Sequence, residues 1–445
     1  MKPIIKVLDV TLNKLKNVKY GTFHIDTHFD TLDEANVIGF YGQNGSGKTA
    51  VVQAFQLLAM LLKGGQNEKL PDIHHLHIYY GEPSLQLNFQ FLVKNDYGEF
   101  FLKYGVSLVK GERRLNVMAE NLSYRENKRG KRFKNIISKN EDDITIRTTA
   151  HPSLNENDRV KVLVANHLSK ENNSSFIFRK EVRNILPNYL DEAEMTLIQN
   201  IIYDFKRDLH IIDNTQYGNL ISNITMPFHI HLENKRGVIP SKLEDTTLLP
   251  KALFDAMKEL IEQTNIVLKM LIPGLQIKIH VIHTQKMNDG SDGVLVEFLS
   301  RKGDIELPLK CESEGTLKII SILSTLIAVY NNPNACVVID ELDAGVFEYL
   351  LGELLEIINE SGSGQLIFTS HNLRILEVLP IHELWFTTTN EENRYMQLKG
   401  VKKLNNPRDV YLRAVQLGGQ DEDIYKETNS YDIKRAFRKA GIVNE

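Results

Sequence analysis

Cysteine is nearly absent: Cys311 and Cys336 are the only two in 445 residues, too few for a disulfide framework and in keeping with a reducing compartment, the cytoplasm. No segment reaches the run of about 18 uncharged apolar residues that a membrane helix needs. The opening residues, MKPIIKVLDV, alternate as a strand does and lack the charged, apolar and small-residue regions of a secretion signal, so export is not expected. Neither sign of charge dominates. Lys plus Arg total 53 against 57 Asp plus Glu, a formal charge of -4, which excludes a globally basic coat for nucleic acid and leaves only a local basic face. Internal repeats, low-complexity tracts and sustained heptads are also missing, so a solenoid, a disordered chain and a long coiled-coil arm are all excluded. What remains is an ordinary globular composition, 42% hydrophobic and 25% charged, in a chain about three times the common domain length of roughly 150 residues. More than one lobe is expected.

The hydrophobic pattern predicts strands at Ile4 to Val10, Val18 to Ile25 and Val37 to Tyr41, then a helix at Thr49 to Leu62 with Val51, Val52, Phe55, Leu58 and Leu62 largely on one face. Two alternating runs, Leu85 to Val93 and Phe100 to Val109, flank the turn residues Asn95-Asp96-Tyr97-Gly98 and predict a hairpin. The composition turns polar and basic from about 120 to 150, and from about 155 to 272 it reads as helical with proline interruptions. Strands resume at Leu275 to Ile282 and Gly293 to Leu299. They are followed by a helix from Thr316, a buried strand at Ala335 to Ile339, a helix from Val346 to Glu360, a strand at Gln365 to Thr369, a hairpin at Leu384 to Leu398 and a polar helical tail. This α/β alternation divides the chain into 1–122, the first part of a head, 123–272, a basic hairpin and compact helical insert, 273–400, the second part of the head, and 401–445, the tail.

Between the third strand and the first helix stands Gly42-Gln43-Asn44-Gly45-Ser46-Gly47-Lys48-Thr49, a match to G-x-x-x-x-G-K-[ST] in the strand–helix context that the motif requires. Its glycines free the backbone to turn successive N–H groups toward phosphate oxygens, and the helix start adds its positive dipole end. Lys48 is then placed for the β- and γ-phosphates of ATP and Thr49 for Mg²⁺. The apolar strand Cys336-Val337-Val338-Ile339 ends in Asp340-Glu341. Adjacent carboxylates repel unless a cation lies near, so Asp340 reads as a Mg²⁺ ligand, direct or through water, and Glu341 as the base for a water attacking the γ-phosphate. His371, in Ser370-His371-Asn372 after the next strand, is placed to sense that phosphate.

Together these residues resemble the ABC-type ATPases of the SMC, RecF and OLD-like branch, often grouped with AAA-type ATP-binding proteins. Leu342-Asp343-Ala344-Gly345 resembles the D-loop, Ser370-His371 the H-switch, and Glu312-Ser313-Glu314-Gly315-Thr316 the signature ahead of its helix. That last segment departs from Leu-Ser-Gly-Gly-Gln, and only Ser313 and Gly315 carry over. Leu12-Asn13-Lys14-Leu15-Lys16-Asn17 resembles the turn near the adenine, and Glu120-Asn121-Leu122 stands where relatives couple nucleotide to insert. The resemblance covers about 1–122 and 275–400. It implies an ABC-type P-loop head with a mixed sheet, flanking helices, an antiparallel β-subdomain and a helical insertion lobe. It further implies ATP-dependent dimerisation or higher homo-oligomerisation, with Ser313 and Gly315 completing the γ-phosphate site of a second protomer.

Three readings follow. The first is an ATP-switched head that controls a separate effector, a nuclease or toxin, in bacterial antiphage defence, with DNA repair of the RecF type as the alternative. The second, a transporter subunit, conflicts with the roughly 265 residues between the P-loop and Ser313. The third, a fused nuclease, conflicts with the short chain left after Leu398, where Asp421, Glu422 and Asp423 read as a solvated cap. A direct nucleic-acid contact would use Arg125, Lys128, Arg129, Lys131, Arg132 and Lys134, with Tyr124 and Phe133 stacking on bases.

Overall fold

The computed structural model describes residues 2–65, 70–71, 78–213, 225–232, 235–243, 245–400 and 406–441. The strands of these residues fall into four sheets. At the centre lies a sheet of order β10 (Leu209–Ile212), β17 (Cys336–Ile339), β18 (Gln365–Thr369), β3 (Asn36–Tyr41), β19 (Leu384–Thr387) and β20 (Tyr395–Met396), parallel except for the last pair. Side-chain alternation divides each strand between two cores. Cys336, Val338, Ile38, Phe40 and Ile367 join the core under helix α1 (Lys48–Leu62), while Val337, Ile339, Val37, Tyr41, Leu366 and Phe368 join the core on the other face. Burial on both faces is why these strands read as unbroken apolar runs.

The far side of α1 is closed by an eight-stranded antiparallel sheet, β2-β1-β4-β5-β6-β7-β8-β9. It is built from β1 (Ile4–Leu15), β2 (Val18–His24), β4 (Ser84–Asn95), β5 (Gly98–Lys110), β6 (Leu115–Glu126), β7 (Lys134–Asn140), β8 (Asp143–Ile146) and β9 (Thr149–Ala150). A third core gathers α4 (Lys251–Leu271), β13 (Thr247–Pro250), β14 (Leu275–Lys286), β15 (Asp292–Lys302), to which β16 (Ile305–Pro308) pairs, and the hairpin β11–β12 (Thr225–Leu232, Lys235–Lys242) against Leu317, Ile320 and Leu323 of α5 (Glu314–Asn331). Helix α6 (Glu348–Ser361) covers the second core.

Residues 123–272, expected as a basic hairpin and helical lobe, are divided among all these layers. β7–β9 extend the eight-stranded sheet. Helices α2 (Glu156–Glu171) and α3 (Glu192–Gln199) and a π-helical turn (Asn200–Phe205) form the helical part. The chain then returns as β10 to the edge of the central sheet beside β17. Leu209-His210-Ile211-Ile212 is too short a strand to separate from a helical background by periodicity, and its partner lies more than 120 positions away. Strands β11–β13 were hidden for the related reason that prolines mark edge and hairpin strands as well as helix ends. In the tail, α7 (Pro407–Leu417) stacks Tyr411 on Phe386 at 5.1 Å, and α8 (Ser430–Ala440) buries no side chain. Among the described residues no helix is long and apolar enough to cross a membrane.

Candidate functional site

β3 ends at Tyr41 and the chain passes through Gly42, Gly45 and Gly47 with φ of 152°, 76° and 99° before α1 starts at Lys48. These angles lie in the region that side chains disfavour, and at Gly42 an added Cβ would stand 1.7 Å from Thr387 Oγ1. The loop is held from β19 and β20. The Tyr395 hydroxyl donates to the Gly47 carbonyl at 2.8 Å, and the Ser46 and Thr387 hydroxyls lie 2.5 Å apart. Lys48 is 7% exposed and its ammonium donates to the carbonyls of Gly42 at 2.8 Å and Gln43 at 3.0 Å. Burial lowers the Lys48 pKa, against the pull of Asp340, Glu341 and Asp343.

Opposite the loop, Asp340 leaves β17 with its N–H donating to Ile212 of β10 at 2.9 Å. The Thr369 hydroxyl, at the end of β18, donates to Asp340 Oδ1 at 2.6 Å and accepts the Glu341 N–H at 2.8 Å. Glu341 has φ of 49°, a left-handed conformation rare outside glycine, which this hydroxyl and the Leu342 N–H bond to the Thr369 carbonyl (3.0 Å) hold in place. Burial raises the Asp340 pKa; the Thr369 and Thr49 hydroxyls oppose it and the Glu341 charge adds to it. His371 donates its backbone N–H to Asp343 Oδ2 at 3.1 Å. Its imidazole pKa is lowered, first by burial and then by the Lys48 charge, so the ring is neutral near neutral pH.

A cavity of about 300 Å³ is lined by Asn44, Gly45, Ser46, Gly47, Lys48, Thr49, Asp340, Glu341 and His371, together with Lys16, Asn17 and Thr369. The loop and the three downstream acid and imidazole groups thus meet at the carboxyl ends of parallel strands, where open α/β sheets hold ligands. Gly42 and Gln43 act through the carbonyls that seat Lys48. Ser313 and Gly315 lie outside this cavity. Ser313 caps α5 by accepting the Thr316 N–H, and Gly315 abuts Gly345, whose carbonyl oxygen would be 2.2 Å from an added Cβ.

The Leu12 to Asn17 segment is mostly β1, and only its turn residues Lys16 and Asn17 reach the cavity, with Asn17 Nδ2 donating to the Gly45 carbonyl. Glu120 does not reach it: its carboxylate accepts the Tyr104 hydroxyl at 2.6 Å and the N–H groups of Phe176 and Ile177, tying the antiparallel sheet to the helical part. Tyr124 is not available for stacking, because its ring is 5% exposed and its hydroxyl bonds Glu194. Phe133 is exposed but already covered by Lys103 at 4.4 Å and Arg125 at 5.5 Å.

Sequence reasoning missed Thr369, Tyr395, Arg394 and Lys318. Arg394, 4% exposed, donates to the carbonyls of Asn17 and Thr388 and buttresses the loop from behind. Lys318 lies on α5 with 1% exposure; burial draws its pKa down to about 8 while Glu341, Asp340 and Asp343 hold it up. A lysine inside the apolar run Leu317 to Ile320 was the available signal. Replacing Thr369 by valine removes both hydroxyl contacts with little change of volume. The variant is expected to lose about 1–3 kcal/mol of stability, read by denaturant unfolding, and to shift the acid limb of any turnover profile to higher pH.

The sequence-family model described as "AAA domain, putative AbiEii toxin, Type IV TA system" matches residues 37–377, from β3 to beyond His371. No curated protein matches the chain. Solved structures similar to it include an SMC head bound to the C-winged helix domain of ScpA, at 12% identity over 88% of this chain and 98% of that one, with a TM-score of 0.44. The SMC head domain from Thermotoga maritima gives 10%, 88%, 99% and 0.39. An Smc head with an extended coiled coil, bound to the C-terminal domain of ScpA derived from Pyrococcus furiosus, gives 10%, 89%, 96% and 0.41.

Proposed function

The chain belongs to the AAA-domain family described as putative AbiEii toxin, Type IV TA system, and from that premise we propose that it is a Mg²⁺-dependent ATP hydrolase that dimerises on ATP and controls a separate effector. The observation that carries this reading is the convergence of Lys48, Thr49, Asp340, Glu341 and His371 on one cavity. The donor set fits a magnesium triphosphate: backbone amides and a buried ammonium on one side, a hydroxyl and two carboxylates on the other. Thr49 and Asp340 would hold the metal ion, which would supply positive charge against the phosphates. Lys48 orients the phosphates, Glu341 takes the proton of the attacking water, and neutral His371 contacts the γ-phosphate.

The signature residues support the dimer. Ser313 stands exposed at a helix start outside its own cavity, with Gly315 half-buried against Gly345, and this helix start is the one that would meet the γ-phosphate of a second copy. Because ATP then contacts both chains and ADP fewer, hydrolysis weakens the assembly. Ser313→Arg is expected to bind ATP normally yet stay monomeric. Sedimentation velocity with ATP and the Glu341→Gln background checks it, and a dimer formed equally well by the arginine variant would exclude the composite site.

The family description names a putative toxin of a toxin–antitoxin system, and on that wording we place the role in bacterial antiphage defence, with the effector a separate protein. Repair ATPase activity of the RecF type, acting directly on DNA, is the second reading. The exposed β6–β7 tip favours it: Lys128 and Lys131 are engaged by Glu126 at 2.9 and 3.5 Å, but Arg129, Arg132 and Lys134 point a surplus of positive charge at solvent. Turnover stimulated by DNA in a salt-dependent manner would select that reading.

A further inference from the structure

At the opposite edge of the central sheet, where β3, β18 and β19 begin, lies a second cavity of about 530 Å³. Its walls carry the carboxylates of Asp26, Asp33, Glu34 and Glu360, all exposed at the rim, and of Glu383 at the floor. Glu383 is 6% exposed, and its Oε2 is buried without a hydrogen-bond partner among the described residues. An unmet carboxylate oxygen in such a position is expensive unless something enters to meet it.

The remaining surroundings also favour positive charge. Helix α6 ends here, with Asn359, Glu360 and Ser361 on the wall, so its last carbonyls add the negative end of the helix dipole. Among the described residues no arginine lines the cavity. The nearby Lys6 ammonium is fully buried and spends its hydrogen bonds on the carbonyls of Glu34 and Ser363. His28 is paired with Asp26 at 3.2 Å, and His382 stands exposed at the rim. Among the described residues no three acidic, histidine or cysteine side chains approach closely enough to hold a metal ion. The acidic groups are therefore spread along the cavity rather than focused on a point.

We propose that this cavity binds an elongated alkylammonium cation, with its innermost ammonium on Glu383 and the others on the rim carboxylates. A free polyamine and the lysine side chains of a bound peptide share that chemistry. The site lies at the opposite strand ends from the triphosphate cavity, and the proposal does not depend on the ATPase reading. One thermodynamic consequence distinguishes it from loose surface attraction. Burial, reinforced by the Asp26 charge and opposed by a backbone hydrogen bond from Val37, pushes the Glu383 carboxyl up to about 8. Near pH 7 it is mostly protonated, so a cation that requires the carboxylate must expel close to one proton on binding. Affinity should rise up to about tenfold per pH unit below pH 8 and level off above it. Lys6, whose own pKa burial lowers to about 8, would bend the same curve, which makes the Glu383 variant the deciding arm.

The test is calorimetric titration of the full chain with spermidine, with a pentalysine peptide and with magnesium chloride, each in two buffers of different ionisation enthalpy. Saturable binding of spermidine or pentalysine with about one proton released near pH 7 is expected. The tighter of the two identifies the source as a free polyamine or a partner's lysines. Glu383→Gln should weaken the amine by at least about tenfold and abolish the proton release, while melting no lower than the native chain, since a neutral amide replaces a carboxyl whose ionisation burial opposes. Glu360→Gln, at the solvent-exposed rim, should weaken binding less and leave the proton release intact. Absence of binding by both amines, undiminished binding by Glu383→Gln, or magnesium binding with the same proton release would each overturn the assignment.

Discussion

Glu341→Gln is expected to slow ATP turnover by about 10²–10⁴ while leaving nucleotide affinity unchanged, the loss that follows from removing a general base. Its geometry singles it out among the carboxylates. Asp340 is tied to the Thr369 hydroxyl and to the β10 edge, whereas Glu341, one residue on, leaves the strand at φ of 49°, and both line the cavity. A left-handed residue reverses the direction that the strand would otherwise impose, and Thr369 holds the peptide in that orientation through the Glu341 N–H. Glutamine keeps the shape and the left-handed backbone but cannot accept the proton. The variant should therefore accumulate ATP-bound dimer, visible as a nucleotide-dependent shift in sedimentation that persists for hours in the variant and decays in the native chain. Undiminished single-turnover hydrolysis would move the base to another residue.

Legibility in the sequence followed chain locality. The P-loop was readable because its parts are consecutive: an apolar strand, glycines that must adopt positive φ, and the first turn of a helix lie within Asn36–Leu62. β17 and β18 were readable because both faces are buried, so no alternation dilutes the apolar run. Long-range pairings were not. β10 is a strand only because β17 accepts it, and Glu120 is buried only because the backbone of Phe176 and Ile177 reaches it from the helical part. Thr369 stood in plain view as the last residue of a correctly placed strand. Its role is invisible without knowing that β18 lies beside β17 in register Ile339↔Phe368, which sets the hydroxyl next to Asp340. The two aromatic residues of 124–134 were illegible for the same reason. Composition shows six cations and two rings, but only pairing shows that Tyr124 faces inward and that Phe133 is already covered.

Lys48→Ala should weaken ATP binding by about 10²–10⁴ and leave the unliganded protein no less stable. Charge-assisted hydrogen bonds contribute about 1.5–3 kcal/mol each, and a lysine bridging two phosphates makes two, which gives roughly 3–6 kcal/mol. Without nucleotide the same ammonium is a liability. It is 7% exposed, burial lowers its pKa, and its hydrogen bonds go to the Gly42 and Gln43 carbonyls rather than to a fixed anion. Alanine removes a buried charge, and of the two carbonyls it leaves, that of Gln43 keeps the Ser46 hydroxyl as a donor at 2.6 Å. The loop itself should survive, because the Tyr395 hydroxyl still holds the Gly47 carbonyl and Thr387 still pairs with the Ser46 hydroxyl. Thermal melting then separates the two effects. The native chain should gain melting temperature on adding ATP, and the alanine variant should start at or above the native unliganded value and gain almost nothing. A large fall in unliganded stability would mean that Lys48 is chiefly structural, and retained ATP affinity would place the phosphates elsewhere.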